Sequence, residues 1–127
     1  MPLKAEFNAT NRLFVYGTLK SNKWNNHILE GAKFIGKART LDAYPMVVDG
    51  LPYLLDAQGQ GLNVIGECYA IYQQAMWTRL DMLEGHPNWY RRQVIDITVA
   101  NRGITAWAYF LLNPDPRLLK LECQAEF

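Results

Sequence analysis

The chain has 127 residues, half of them hydrophobic and 13% aromatic, which is enough to close one core and leaves little room for a second domain. Thirteen Lys and Arg against twelve Asp and Glu give a formal net charge of +1, without the basic excess that marks a dedicated nucleic-acid binder. No apolar run approaches the roughly 18–20 residues of a membrane-spanning helix, and residues 1–6 carry an acid and no apolar signal segment.

Residues 1–11 read as a polar, mobile lead-in. The apolar run 13–16 ends abruptly at Gly17 and predicts a buried strand followed by a turn. A short helix is expected over 21–29, with Ser21 or Asn22 as N-cap and Gly31 after its end. Strands are expected over 33–39, 43–48, 53–55 and 62–72, separated by turns at Gly50, Pro52 and the Gly-rich stretch 58–61. The clearest helix spans 73–84 and closes on Gly85. Two further strands, 90–99 and 104–112, flank a hairpin turn at Asn101-Arg102-Gly103. Residues 113–127, opening with Pro114 and Pro116, are expected to wrap the outside. The helices are too few to cover a doubly wound sheet, so a small α+β fold follows: a mixed β-barrel with two short helices. Cys68 and Cys123 are too few to imply a disulfide framework, which agrees with the cytosol. With only His27 and His86 beside them, no metal-ligand spacing is present.

Three features bear on chemistry. On a helical wheel Met76, Trp77, Leu80 and Leu83 form one apolar stripe, and Glu84 falls inside it. Burial and the negative end of the helix dipole both disfavour the charged carboxylate and raise its pKa towards the range of a general acid–base. The alternative is that Glu84 pairs with Arg91 or Arg92 and anchors the helix. The second feature is Tyr16-Gly17-Thr18-Leu19, where a turn after a strand can aim successive amides at a carboxylate or oxyanion. An ordinary strand-to-loop turn explains the same residues. The third is Pro87–Arg92, an aromatic and basic stretch that can stack on a ligand or simply begin a strand with its Arg heads in water. Asp81 and Lys20 read as solvated surface charges, His27 and His86 have no evident partner, and Trp24, Trp77 and Trp107 read as core or rim.

Taken together and in order, these residues resemble the γ-glutamylcyclotransferase-like superfamily. The resemblance rests on Phe14-Val15-Tyr16-Gly17-Thr18-Leu19-Lys20, Thr40-Leu41, Tyr44-Pro45-Met46-Val47-Val48 and Pro52-Tyr53-Leu54-Leu55. It continues through Gly66-Glu67-Cys68-Tyr69-Ala70-Ile71, Leu80-Asp81-Met82-Leu83-Glu84, Pro87 and Tyr90-Arg91-Arg92. It covers about residues 13–112 of what is read as a single domain, and is nearest to the γ-glutamylamine, or AIG2-like, branch. The resemblance implies a cofactor-free and metal-free cleavage of a small-molecule γ-glutamyl amide into 5-oxoproline and an amine. It also implies Glu84 as the catalytic acid–base and Tyr16, Gly17, Thr18 and Leu19 as the substrate-binding loop. Tyr90 is implied as a pocket residue, and Arg92 more distantly. The γ-glutamylcyclotransferases of the other branch carry an extra residue in the loop before its Leu, which this chain lacks.

The chemistry agrees with that assignment. A γ-glutamyl compound contains its own nucleophile, and holding its α-amine against the γ-carbonyl exploits effective molarities of roughly 10⁵–10⁸ M. Only a proton shuttle and an anion cradle are then needed. Two other readings compete: a non-catalytic module of the same fold that binds γ-glutamyl or amino-acid ligands, and an OB-like barrel stacking single-stranded nucleic acid on Trp89 and Tyr90.

Overall fold

The computed structural model describes residues 10–127. Seven strands and one α-helix follow in chain order: β1 (Arg12–Val15), β2 (Lys33–Tyr44), β3 (Met46–Asp49), β4 (Leu51–Leu54), β5 (Leu62–Ala70), α1 (Gln74–Glu84), β6 (Tyr90–Val99) and β7 (Arg102–Leu111). Five of them close a barrel in the order β1-β5-β2-β6-β7, sealed by a parallel contact between Leu13 of β1 and Trp107 of β7. β3 and β4 form a separate hairpin turning at Gly50. The expected small mixed barrel is present.

Strand alternation builds two cores from the same strands. On β1, Phe14 points into the barrel with Tyr16 after it, while Leu13 and Val15 face the other way. On β7, Ala106, Ala108 and Phe110 fill the barrel, and Trp107, Tyr109 and Leu111 face outward beneath α1. Met76, Trp77 and Leu80 of α1 are buried on that outer layer. Leu83 is not; it leaves the expected stripe and is 44% exposed. The helix ends as its sequence predicts. Gly85 takes a left-handed conformation, the Gly85 N–H donates to Met82 O, and the His86 N–H donates to Asp81 O.

Several expectations need correction. Residues 21–29 form turns and a single 3₁₀ turn (Asn26–Leu29), so there is one α-helix. Side-chain amides compete with helical hydrogen bonding there: Asn25 donates to Thr18 Oγ1 and Asn26 to Leu19 O, tying the segment to the preceding loop. The gap expected at 40–42 is a register shift within one long strand, β2. Thr40 is buried and its Oγ1 accepts the Val64 N–H at 2.8 Å, replacing a lost ladder bond. Pro45, without an N–H, separates β2 from β3. The last hairpin turns at Ala100 and Asn101, both at positive φ, so Arg102 and Gly103 already belong to β7. Such two-residue turns match the twist of the flanking strands.

Residues 1–9 of the expected lead-in lie outside the described residues, while Thr10 is buried with its carbonyl accepting Trp107 Nε1–H. The C-terminal segment wraps the outside as expected. Gln124 donates to Met46 O and Ile65 to Ala125 O, carrying the chain to Phe127 beside the β1 loop. Cys68 and Cys123 are both free, and among the described residues no helix is long and apolar enough to cross a membrane.

Candidate active site

The end of β1, the tip of the β3–β4 hairpin, the last turn of α1 and the start of β6 enclose a cavity of about 290 Å³. Tyr16, Gly17, Thr18, Leu19, Glu84 and Tyr90 all line it. These six come from three separate stretches of chain, and the fold brings every one of them to the same cavity. Arg92 is not among the lining residues.

Gly17 allows the loop to pass under the hairpin. A Cβ at this position would lie 2.6 Å from Pro52 Cγ, so any other residue would push the two apart. Behind the loop lies a polar brace. Glu67 on β5 is 9% exposed and accepts Ser21 N–H and Ser21 Oγ–H, each at 2.6 Å, and Tyr69 O–H at 3.3 Å. Asn26 donates to Leu19 O and to Tyr69 Oη. The loop's carbonyls are used internally, Gly17 O by Lys20 and Thr18 O by Asn25. Its amides are not: among the described residues, none of the loop's hydrogen bonds is donated by the N–H of Gly17, Thr18 or Leu19. Backbone amides left without a protein acceptor are the kind of group that can bind an anion.

Glu84 forms the facing wall. It is half-buried at the end of α1 and, among the described residues, engages in no salt bridge and accepts no side-chain hydrogen bond. Burial pushes its carboxyl up to about 7. The nearby phenols respond in kind. Burial first, then the neighbouring Tyr90 and Glu84, holds Tyr16 well above the ordinary tyrosine range, and burial followed by Glu84 does the same to Tyr90. Both are neutral hydroxyls at physiological pH. Tyr16 donates to Tyr109 O at 2.8 Å, which fixes its ring across the cavity floor.

The alternative, an ion pair between Glu84 and Arg91 or Arg92, is absent among the described residues, and Arg92 is engaged elsewhere. Its guanidinium takes both oxygens of Asp81, Nε to Oδ1 at 2.9 Å and Nη2 to Oδ2 at 3.2 Å. It lies 4.8 Å from the Trp77 ring and 4.6 Å from the Trp107 ring. Tyr109 Oη donates to Asp81 at 2.6 Å, and His86 Nδ1 accepts the Arg92 N–H. Asp81 and Arg92 are therefore mostly buried structural groups, neither solvated, and His86 has a partner. Lys20 is also corrected: it is 5% exposed, its ammonium donates to Phe127 O, and burial lowers its pKa.

The sequence profile described as "Gamma-glutamyl cyclotransferase, AIG2-like" matches residues 13–125. The chain belongs to this family. Among its relatives, a Methanocaldococcus jannaschii protein provisionally named as a gamma-glutamylcyclotransferase is 38% identical over 100 residues, 77% of this chain and 82% of that one. Human gamma-glutamylaminecyclotransferase is 39% identical over 93 residues, covering 67% of this chain and 60% of its own length. The crystal structure of a mouse AIG2-like protein superposes with a TM-score of 0.86 at 27% identity, covering 94% of this chain and 89% of that one. This AIG2-like chain thus has the family's barrel. The sequence did not single out Tyr53, Tyr109 or Glu67. Tyr53 and Tyr109 line the cavity, and Glu67 braces its loop. A charged residue within the apolar run 66–71 was the available signal for Glu67.

Proposed function

We infer that this AIG2-like protein is a γ-glutamylamine cyclotransferase, with Glu84 as its proton shuttle. The observation that carries the reading is the unpaired, half-buried Glu84 with its carboxyl raised to about 7, sharing a cavity with three unused backbone amides. The substrate's α-carboxylate or its developing carbonyl oxyanion would sit against the amides of Gly17, Thr18 and Leu19. The cavity coils the γ-glutamyl chain so that the α-amine reaches the γ-carbonyl carbon. Ionised Glu84 takes a proton from the α-ammonium. The free amine forms the new C–N bond, and the carbonyl π electrons move to oxygen. As the carbonyl re-forms, the original amide C–N bond breaks, and Glu84 returns its proton to the departing nitrogen. The second proton of the new ring nitrogen follows by the same carboxylate, so that the amine leaves as its ammonium ion. The products are 5-oxoproline and the amine, with the carboxylate restored to its starting state.

A carboxyl near 7 suits both steps, since it is basic enough to accept the first proton and acidic enough to give it back. Cys68 takes no part: it is buried in the barrel and burial raises its thiol to about 11.

The test is 5-oxoproline release from γ-glutamyl amides, γ-glutamyl amino acids and ε-(γ-glutamyl)lysine by the parent and by Glu84→Gln. The expected loss in the variant is about 100-fold or more. The parent's rate should rise with pH through about 7, as the base form of Glu84 is populated. Equal turnover by the two proteins would remove Glu84 from the mechanism. Tight ligand binding without any product would make the chain a binding module.

A further inference from the structure

The reading of Glu84 as proton donor fixes where the departing amine must lie, and that region has its own chemistry. With the glutamyl end on the Gly17–Leu19 amides and the scissile nitrogen at Glu84, the body of the amine extends outward past Leu83 and Trp89. These two flank Glu84 in the turn from α1 to β6 and line the same cavity. Both are exposed, Leu83 at 44% and Trp89 at 62%. On the loop and hairpin side the cavity is lined by Trp24, 60% exposed, and Leu51, 46% exposed. A single exposed apolar side chain is ordinary, but four around one cavity form a patch of the kind that marks a binding surface.

The two indoles are exposed without being loose. Trp24 packs edge-on against Phe127, with ring centroids 6.2 Å apart, and Lys23 Nζ lies 4.7 Å from that phenylalanine ring. Trp89 packs on Tyr90 at 5.7 Å, and a Cβ at Gly85 would come within 3.1 Å of Trp89 Cβ. Charge narrows the choice further. Among the described residues no Lys, Arg or His lines the cavity, and Glu84 is the one carboxylic acid that does. Lys20 is committed to Phe127 O and Arg92 to Asp81. A carboxylate on the departing amine would find no cation among the lining residues and would share the cavity with Glu84.

We propose that Trp89 and Leu83, with Trp24 and Leu51 opposite, form the leaving-group subsite and that it selects uncharged amines with an aromatic or alkyl body. The inference rests on the mechanism above, yet it can be tested without turnover. In the Glu84→Gln protein, calorimetry would compare the affinities of γ-glutamyl benzylamide, γ-glutamyl methylamide and γ-glutamylglycine. The expected order is benzylamide about tenfold tighter than methylamide, with γ-glutamylglycine the weakest, a gap typical of an apolar pocket. Adding Trp89→Ala should reduce the benzylamide-to-methylamide ratio towards one, and Trp89→Phe should keep most of it. Equal affinities, a ratio untouched by Trp89→Ala, tightest binding of γ-glutamylglycine, or no binding of any of the three would overturn the proposal. The mechanism fails differently, through equal 5-oxoproline release by the parent and Glu84→Gln.

Discussion

Asp81 and Glu84 sit about one turn apart on the same helix and have opposite surroundings. Asp81 faces the layer between α1 and the barrel, where it binds Arg92 through both oxygens and takes the Tyr109 hydroxyl. Glu84 faces the cavity and has no such partner among the described residues. The two arrangements depend on each other. Arg92 is held between Trp77 and Trp107 and paired through Nε and Nη2 with Asp81, and it makes no salt bridge to Glu84. One carboxylate holds the helix end in place, and the other is thereby left available for protons.

The largest effect expected from this contrast is on stability. Asp81→Asn would leave the Arg92 guanidinium mostly buried with half its pairing gone, at a cost of about 3 kcal/mol. Urea denaturation with an unchanged slope would read this directly. A loss below about 0.5 kcal/mol would mean that Asp81 anchors nothing. The second effect has the opposite sign. Between its ordinary value of 4.5 and about 7, Glu84 holds a proton in the folded protein that the unfolded chain gives up. Folding therefore takes up a proton in that window, and stability falls as pH rises through it. Below pH 4.5 both states are protonated and the cost vanishes; above about 7 it is complete, about 3 kcal/mol. Glu84→Gln should thus be more stable than the parent at pH 8 and equal to it at pH 4, even as activity is lost. Identical denaturation curves at both pH values would erase the distinction between the two acids.

The difference between these carboxylates was only half legible in the sequence. The helical period and Gly85 located α1 within one residue and put Glu84 on the apolar stripe, because burial leaves a 3.6-residue signature. The same wheel made Asp81 a surface charge. Its partners, Arg92 and Tyr109, face each other across β6 and β7, and register between distant strands is not written in local periodicity. Residues 21–29 failed for a related reason: the side chains of Asn25 and Asn26 bind the preceding loop, and such partners do not show in a local reading of helix signals. Motif order brought the cavity residues together on paper without showing why Gly17 is needed. That reason is Pro52, 35 positions away in sequence, pressed against it in the fold.

A third acid extends the comparison to the far wall of the cavity. Glu67 has the satisfied character of Asp81, with Ser21 N–H, Ser21 Oγ–H and Tyr69 O–H around its carboxylate, but what it holds is the substrate loop. It does not line the cavity. In Glu67→Gln the amide oxygen can still accept the Ser21 N–H, while the new NH₂ group replaces the oxygen that accepts Ser21 Oγ–H. The hydroxyl must then turn its proton elsewhere, and the charge-assisted bonds are lost. The loss should be about 1–2 kcal/mol. The stretch beyond Leu19 would shift, and with it the amides that grip the substrate. If Glu67 only positions that cradle, KM for a γ-glutamyl amide should rise several-fold to tenfold while kcat stays within about twofold. A pH optimum set by Glu84 should not move, because nothing in the change touches the proton shuttle. A collapse of kcat comparable to that of Glu84→Gln would assign Glu67 to the chemistry instead, and an unchanged KM would detach the brace from substrate binding.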